Sequence, residues 1–134
     1  MSLLEMKHLS VTFNNRENKR FQAVSDVNLK LEKGEILGIV GESGSGKSVT
    51  ALAILDLLPH PKAEYAGNSS IIFESQELLG LNNKQYRQIR GNKISFIFQE
   101  PMSSLNPLHK IGKQIAESLK LHQNMGKEDI KKRT

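Results

Sequence analysis

The sequence predicts an α/β fold organised around one phosphate-binding turn, and three observations carry that expectation. A short run that is apolar on both faces, Ile36-Leu37-Gly38-Ile39-Val40, leads directly into the glycine-rich octet Gly41-Glu42-Ser43-Gly44-Ser45-Gly46-Lys47-Ser48. Apolar residues at helical spacing follow the octet at once. Ahead of this unit, residues 6–13 and 21–31 are rich in β-formers, and behind it residues 94–98 form a second short apolar run.

Taken in order, residues 6–13 alternate and read as a strand. Residues 14–20 are a polar turn, and residues 21–31 resume as a strand through Val24, Val27, Leu29 and Leu31, so the two form a hairpin with a long loop. Glu32-Lys33-Gly34 is a second turn. Residues 35–40 are predicted to be a buried parallel strand, because both faces are apolar. Residues 48–58 are predicted to be a helix with Val49, Leu52, Ala53 and Leu55 on its apolar positions, stopped by Pro59 and Pro61.

Residues 63–68 read as a loop, 70–73 as a short strand, 82–89 as a helix and Arg90-Gly91-Asn92 as a turn. Residues 94–98 are a second candidate buried strand. Residues 99–107 form a loop punctuated by Pro101 and Pro107. Residues 111–123 are an amphipathic helix whose stripe, Ile111, Ile115, Leu119 and His122, is expected to pack in a core rather than enter a membrane. Gly126 is expected to break that helix, and residues 127–133 read as a further one.

The bulk properties exclude several classes. At 134 residues, 25% charged and 37% hydrophobic, the chain is one domain's worth of soluble, globular sequence. It has no cysteine, hence no disulfide and no thiolate metal site. No apolar run approaches the roughly 18 residues that span a bilayer. An acid interrupts the short apolar start, so it is no signal peptide, and a cytoplasmic location is expected. The net charge of +5 is spread out, apart from Lys131-Lys132-Arg133, and reads as solvated surface plus a phosphate site. His8, His60, His109 and His122 have no metal-ligand spacing. Tyr86, Arg87 and Arg90 make a basic patch, but aromatic interleaving is too sparse to expect nucleic acid.

The octet fits G-x-x-x-x-G-K-[ST] and lies between an apolar run and a helix, where its chemistry requires it. Glycines let the backbone curl until successive N–H groups point at one centre, an anion nest. The donors are expected from Gly44 to Val49, with Gly41 and Ser43 completing the turn. The helix N-terminus adds partial positive charge. Lys47 is expected at the β- and γ-phosphates of ATP, and the Ser48 hydroxyl on Mg²⁺. The alternative, a glycine turn that binds nothing, requires four fixed positions to coincide by chance, roughly a one-in-a-few-hundred event at this length.

The motif by itself says only P-loop NTPase. Gly38-Ile39-Val40 running into the octet resembles the Walker A wording of ATP-binding-cassette (ABC) ATPases, and Ile97-Phe98-Gln99-Glu100-Pro101 resembles their Q-loop. Met102-Ser103-Ser104-Leu105-Asn106-Pro107 is similar to the ATPases of peptide, dipeptide and nickel importers. Arg90-Gly91-Asn92-Lys93-Ile94 and Leu105-Asn106-Pro107-Leu108-His109 bring the resemblance nearest to microcin C and oligopeptide importer ATPases.

The resemblance implies a catalytic role for Gln99 beside Lys47, with Gln99 contacting Mg²⁺ or the attacking water. It implies that Phe13 stacks on adenine, with Phe21 as the alternative across the hairpin. At Val49 many relatives have Thr; valine keeps the backbone N–H and loses a hydroxyl near the α-phosphate. The implied organisation is an antiparallel β subdomain over residues 1–34, a Walker A to Q-loop core over 35–100, and the start of a helical subdomain over 101–134. The implied partners are membrane permease subunits, met through the region after Gln99, and a second ATP-binding domain in a homodimer, heterodimer or tandem cassette. The implied location is peripheral, on the inner face of the cell membrane.

The family's Leu-Ser-Gly-Gly-Gln signature, its Walker B strand and its switch histidine do not occur in these residues. The chain therefore resembles the front part of a cassette with an incomplete core sheet. Alone it is expected to be marginally stable, to bind Mg-ATP weakly and not to turn it over. A non-transport cassette and a nucleotide-binding module without hydrolysis are the competing classes.

Overall fold

The computed structural model describes residues 2–14, 19–100, 105–123 and 125–134. Part of the predicted hairpin turn, residues 15–18, and the Pro101, Met102, Ser103 and Ser104 part of the importer-like loop lie outside the described residues. Two compact units divide the chain, Met1–Asn82 and Asn83–Thr134.

In the first unit, β1 (Ser2–Asn14) and β2 (Arg20–Glu32) form the predicted antiparallel hairpin, with Met6 opposite Leu29, Val11 opposite Val24 and Phe13 opposite Phe21. The buried residues of β1 are Leu4, Met6, Leu9 and Val11, so the two-residue period slips by one between Met6 and Leu9. A bulge absorbs the slip. His8 and Asp26, on facing strands, both take left-handed backbone at φ 50°. Side chains replace the broken ladder there. The His8 N–H donates to Asn28 Oδ1 at 2.8 Å, and the Asp26 N–H to Ser10 Oγ at 2.9 Å. His8 Nδ1 lies 2.7 Å from Asp26 Oδ1. Backbone donors are thus satisfied where the sheet itself cannot do so.

The other side of β1 takes β3 (Ala63–Tyr65) and β4 (Ser70–Phe73), both antiparallel, and β4 continues to β5 (Gln76–Glu77). The strand over 63–65 corrects the predicted loop. Its three residues carry little pattern of their own and are ordered by pairing Val11 with Tyr65 and Phe13 with Ala63. Leu9, Val11, Ile71, Leu78 and Ala53 are fully or almost fully buried and form the centre of this unit's core.

The predicted helix after the glycine loop is shorter than expected. α1 runs Lys47–Ile54, and its end is made by Asp56 rather than by the prolines. Asp56 adopts φ 48°. The Leu57 N–H bonds the Leu52 carbonyl at 3.0 Å and the Asp56 N–H bonds that of Ala53 at 3.1 Å, a Schellman closure with aspartate in the glycine position.

Residues 35–40 and 94–98 do not form the predicted buried strands. No ladder forms over residues 35–40, and the second run has only an isolated bridge at Ile94. Ile36 and Val40 are 97% exposed and Ile97 is 93% exposed. A central parallel strand exists only when neighbours on both sides accept its N–H and C=O groups. Among the described residues neither run has such neighbours, in line with the expected incomplete core sheet.

The second unit holds α2 (Asn83–Ile89), α3 (Ile111–His122) and α4 (Lys127–Arg133). No residue of α3 is buried, and Ile111 is 61% exposed, so the expected core role of its stripe is not realised here. α3 ends at His122, with Gln123 extended, so Gly126 does not break it; Gly126 is the N-cap of α4. Acids in the first turn of α4 and bases in its last suit the helix dipole. Gln114 pins the preceding loop: its Nε2 donates to the carbonyls of Asn106 at 3.0 Å and His109 at 2.9 Å, and its Oε1 accepts the Asn106 N–H at 2.9 Å.

Two predictions come from the β4–β5 hairpin. Its central residues Glu74 and Ser75 both have positive φ, 47° and 67°, the sign that a two-residue turn of type I′ needs and side chains disfavour. Ser75→Gly is expected to stabilise the chain by about 1 kcal/mol, read from urea unfolding. Glu77 accepts hydrogen bonds from the Ser70 hydroxyl and from the N–H groups of Ile71 at 2.9 Å and Leu79 at 3.1 Å. Burial pushes its carboxyl up, but these bonds outweigh burial and hold it below the usual carboxylate range. A depressed folded-state pKa stabilises above the unfolded value of about 4.3, and the gain is lost as pH falls through the folded pKa. Glu77→Gln should therefore cost about 1 kcal/mol at neutral pH and flatten the loss of stability below about pH 4. Parallel acid curves for both chains would contradict the assignment.

Candidate phosphate-binding site

The octet is a closed turn. The Ser45 N–H bonds the Glu42 carbonyl at 3.2 Å, and Gly44 and Gly46 take φ 82° and 89°. Both angles lie in the region that glycine enters without steric cost. Gly41 faces Ser45 so closely that an added Cβ would stand 2.6 Å from Ser45 Oγ.

Gly46 has two tasks. It is the N-cap of α1, and its carbonyl accepts the Thr50 N–H at 2.8 Å, the first bond of the helix. It also lies against β2: a Cβ on Gly46 would meet the Ala23 carbonyl oxygen at 2.7 Å and Val24 Cγ2 at 3.2 Å. The hairpin therefore sets where α1 begins. The N–H groups of Lys47, Ser48 and Val49 precede that first helical bond and point out of the helix N-terminus toward the turn.

Lys47 folds back across the turn. Its Nζ donates to the carbonyls of Gly41 and Glu42, each at 2.7 Å, and to Ser45 Oγ at 3.2 Å. All three ammonium hydrogens are thereby used. No carboxylate lies within ion-pair distance of it among the described residues. Its positive charge is held by neutral dipoles at the mouth of the turn, available to an anion.

Ser48 is exposed beside it. The hydroxyl absent at Val49 is not supplied by its neighbour, since buried Thr50 spends Oγ1 on the Gly46 carbonyl at 3.0 Å. Among the described residues no cluster of three His, Asp or Glu could hold a metal. The donor set still suits Mg²⁺, which takes few protein ligands and keeps phosphate oxygens and water; the exposed Ser48 hydroxyl is of the type that could serve.

Phe13 and Phe21 are direct cross-strand partners, Phe13 half-buried and Phe21 65% exposed. Phe21 is two residues from Ala23, the residue on which Gly46 rests. The aromatic pair and the phosphate turn are thus mounted on one hairpin. Gln99 belongs to the second unit, exposed at a bend that follows an unpaired segment. The Ala23 carbonyl was not legible in the sequence as part of the site, because a backbone contact leaves no mark on residue type.

The profile of the family described as ABC transporter matches residues 24–134. The chain is 52% identical over 127 residues to the uncharacterized ABC transporter ATP-binding protein YejF of Escherichia coli (strain K12), covering 95% of this chain and 24% of that protein. It is 49% identical over 131 residues to the oligopeptide transport ATP-binding protein OppD of Bacillus subtilis (strain 168), covering 98% and 36%. It is 47% identical over 134 residues to the dipeptide transport ATP-binding protein DppD of Haemophilus influenzae (strain ATCC 51907 / DSM 11121 / KW20 / Rd), covering 100% and 40%. The chain thus spans between a quarter and two-fifths of the length of these relatives. Among solved structures, the dimeric ATP-binding cassette MJ0796 bound to ADP and Pi superposes with a TM-score of 0.80 at 26% identity, over 97% of this chain and 53% of that one.

The contact at Gly46 yields a prediction. Gly46→Ala combines a left-handed backbone with a clash against a carbonyl that cannot rotate away, and is expected to cost about 3 kcal/mol or more. Gly44→Ala has the same unfavourable φ but open space around it, so its cost is expected nearer 1 kcal/mol. Urea unfolding of the two variants side by side tests this order.

Proposed function

Because the chain belongs to the ABC transporter family, we propose that it is the nucleotide-binding front of an importer's ATPase subunit, which couples ATP binding and hydrolysis to uptake of peptides or related small solutes. One observation carries the nucleotide part: an ammonium held by carbonyls at the mouth of a turn whose exit is a helix N-terminus. The importer part is supported by the oligopeptide and dipeptide transport proteins among its relatives.

In this proposal Lys47 releases the Gly41 and Glu42 carbonyls and moves its charge to the β- and γ-phosphates. The N–H groups from Gly44 to Val49 bind the remaining phosphate oxygens. Gly41 and Ser43 keep the turn open to them. Ser48 is the residue of this turn that would hold Mg²⁺, which would supply charge neutralisation at the phosphates. Phe13, or Phe21 opposite it, carries the adenine on its ring face, a contact that demands no hydrogen bond. Gln99 has the Q-loop role, orienting the attacking water or meeting Mg²⁺ through its amide oxygen. Catalysis is thus shared by Lys47 and Gln99.

The proposed organisation keeps an antiparallel β subdomain over residues 1–34, a Walker A to Q-loop core over 35–100 and the start of a helical subdomain over 101–134. Permease subunits are met through the region after Gln99, and a second ATP-binding domain completes the ATPase. No helix among the described residues is long and apolar enough to cross a membrane. The proposed location is peripheral, on the cytoplasmic face of the membrane.

Lys47→Ala removes the mobile charge and leaves the three glycines. Mg-ATP binding, measured by calorimetry, is expected to weaken by about tenfold or more; urea unfolding without nucleotide reports separately the loss of the three Lys47 hydrogen bonds. Equal affinity in the two chains would remove the basis for the proposal.

A further inference from the structure

Within the second unit, Lys84, Arg87 and Arg90, carried on α2 and the turn after it, line a cavity of about 650 Å³ together with Glu117, Leu121 and His122 of α3. Lys84, Arg87 and Arg90 recur at three-residue intervals and share one stripe. Like charges so arranged repel each other and cost helix stability. Among the described residues no carboxylate lies within ion-pair distance of Lys84 or Arg87. The single Glu117 leaves the wall with an excess of positive charge.

The frame around these groups is fixed. The Arg90 guanidinium lies 4.5 Å from the centroid of the Tyr86 ring, and Tyr86 is almost fully buried. Stacking on an immobile ring holds the guanidinium plane. Gly91, at φ 74°, brings the main chain beneath His122: a Cβ there would stand 3.2 Å from His122 Nε2. The turn between them is closed on itself, with the Gly91 N–H on the Ile94 carbonyl at 2.9 Å and the Lys93 N–H on that of Ile89 at 2.9 Å.

We propose that this cavity is a second anion site, separate from the turn at residues 41–48, that binds a phosphate monoester group. Guanidinium forks present paired N–H donors to phosphate oxygens, and the lysine adds a point charge. A dianion matches the excess charge of the wall better than a single carboxylate does. Nucleic acid fits less well, because the Tyr86 ring is buried and covered by Arg90, so it offers no face to a base. The phosphate group belongs to a free phosphorylated solute or to an anionic lipid headgroup.

The test is a titration of the full chain with inorganic phosphate at constant ionic strength, followed in ¹H–¹⁵N correlation spectra at the Gly91 amide and the His122 ring. Saturable shifts are expected at both, about tenfold weaker in affinity in Arg87→Gln. Lys84→Gln takes its place should that variant fail to fold. Shifts that do not saturate, that sodium chloride reproduces, or that Arg87→Gln leaves intact overturn the proposal. Vesicles of phosphatidylcholine containing phosphatidic acid separate the sources. Co-sedimentation that Arg87→Gln abolishes assigns the phosphate to lipid, and phosphate binding without co-sedimentation assigns it to a soluble ester.

Discussion

The contact between Gly46 and the Ala23 carbonyl is the constraint on which the rest of the site depends. It fixes the N-cap of α1 against β2, with no side chain between them. From there the geometry follows. The left-handed turn at Gly46 aims the first helical N–H groups at the octet, and Lys47, the first helical residue, is placed to reach back across it. The hairpin that supplies Ala23 also carries Phe13 and Phe21. The aromatic pair and the glycine turn are therefore related by one strand rather than by a flexible linker.

Lys47 has a part in both states of such a site. Without an anion its three hydrogen bonds to Gly41, Glu42 and Ser45 tie the two ends of the octet together. In the proposed binding the same charge turns outward, because carbonyl and hydroxyl dipoles hold an ammonium less firmly than a carboxylate would. A carboxylate partner would have stabilised the empty turn further and opposed the exchange. Thr50 adds a quieter constraint. Its hydroxyl stays with the Gly46 carbonyl, so the first turn of α1 keeps its geometry whichever way Lys47 points.

Features set by neighbours in sequence were legible; features set by neighbours in space were not. The octet, the hairpin, β4, α2 and α3 follow from local chemistry and period. The bulge at His8 and Asp26 is visible in retrospect, since Leu4, Met6, Leu9 and Val11 cannot all face inward without an extra residue. The end of α1 was misplaced because prolines are conspicuous while a left-handed aspartate is not; Asp56 closes the helix through two backbone bonds. β3 was missed because its three residues are ordered by β1. Residues 35–40 and 94–98 show the converse. Their composition is that of central strands, but a strand is a relation between segments, and among the described residues the partners are missing. The stripe on α3 fails for the same reason: it specifies a face to be covered and not what covers it.

That converse bears on how the chain carries its charge and its apolar surface. Exposed Ile36, Val40, Ile97 and Ile111 are separated along the sequence by elements that are well satisfied in themselves. The β sheet buries Leu9, Val11 and Ile71 completely, and the turn after α2 closes on its own carbonyls. Local order and unmet apolar surface therefore coexist in one chain. Each unit is held by its own hydrogen bonds, and what remains open is apolar surface at Ile36 and Val40 in one unit and at Ile97 and Ile111 in the other. The glycine turn is independent of that surface. Its hydrogen bonds run within residues 41–50, and at Gly46 it lies against the hairpin at Ala23 and Val24. The glycine turn can thus be ordered while residues 35–40 beside it have no strand partners among the described residues.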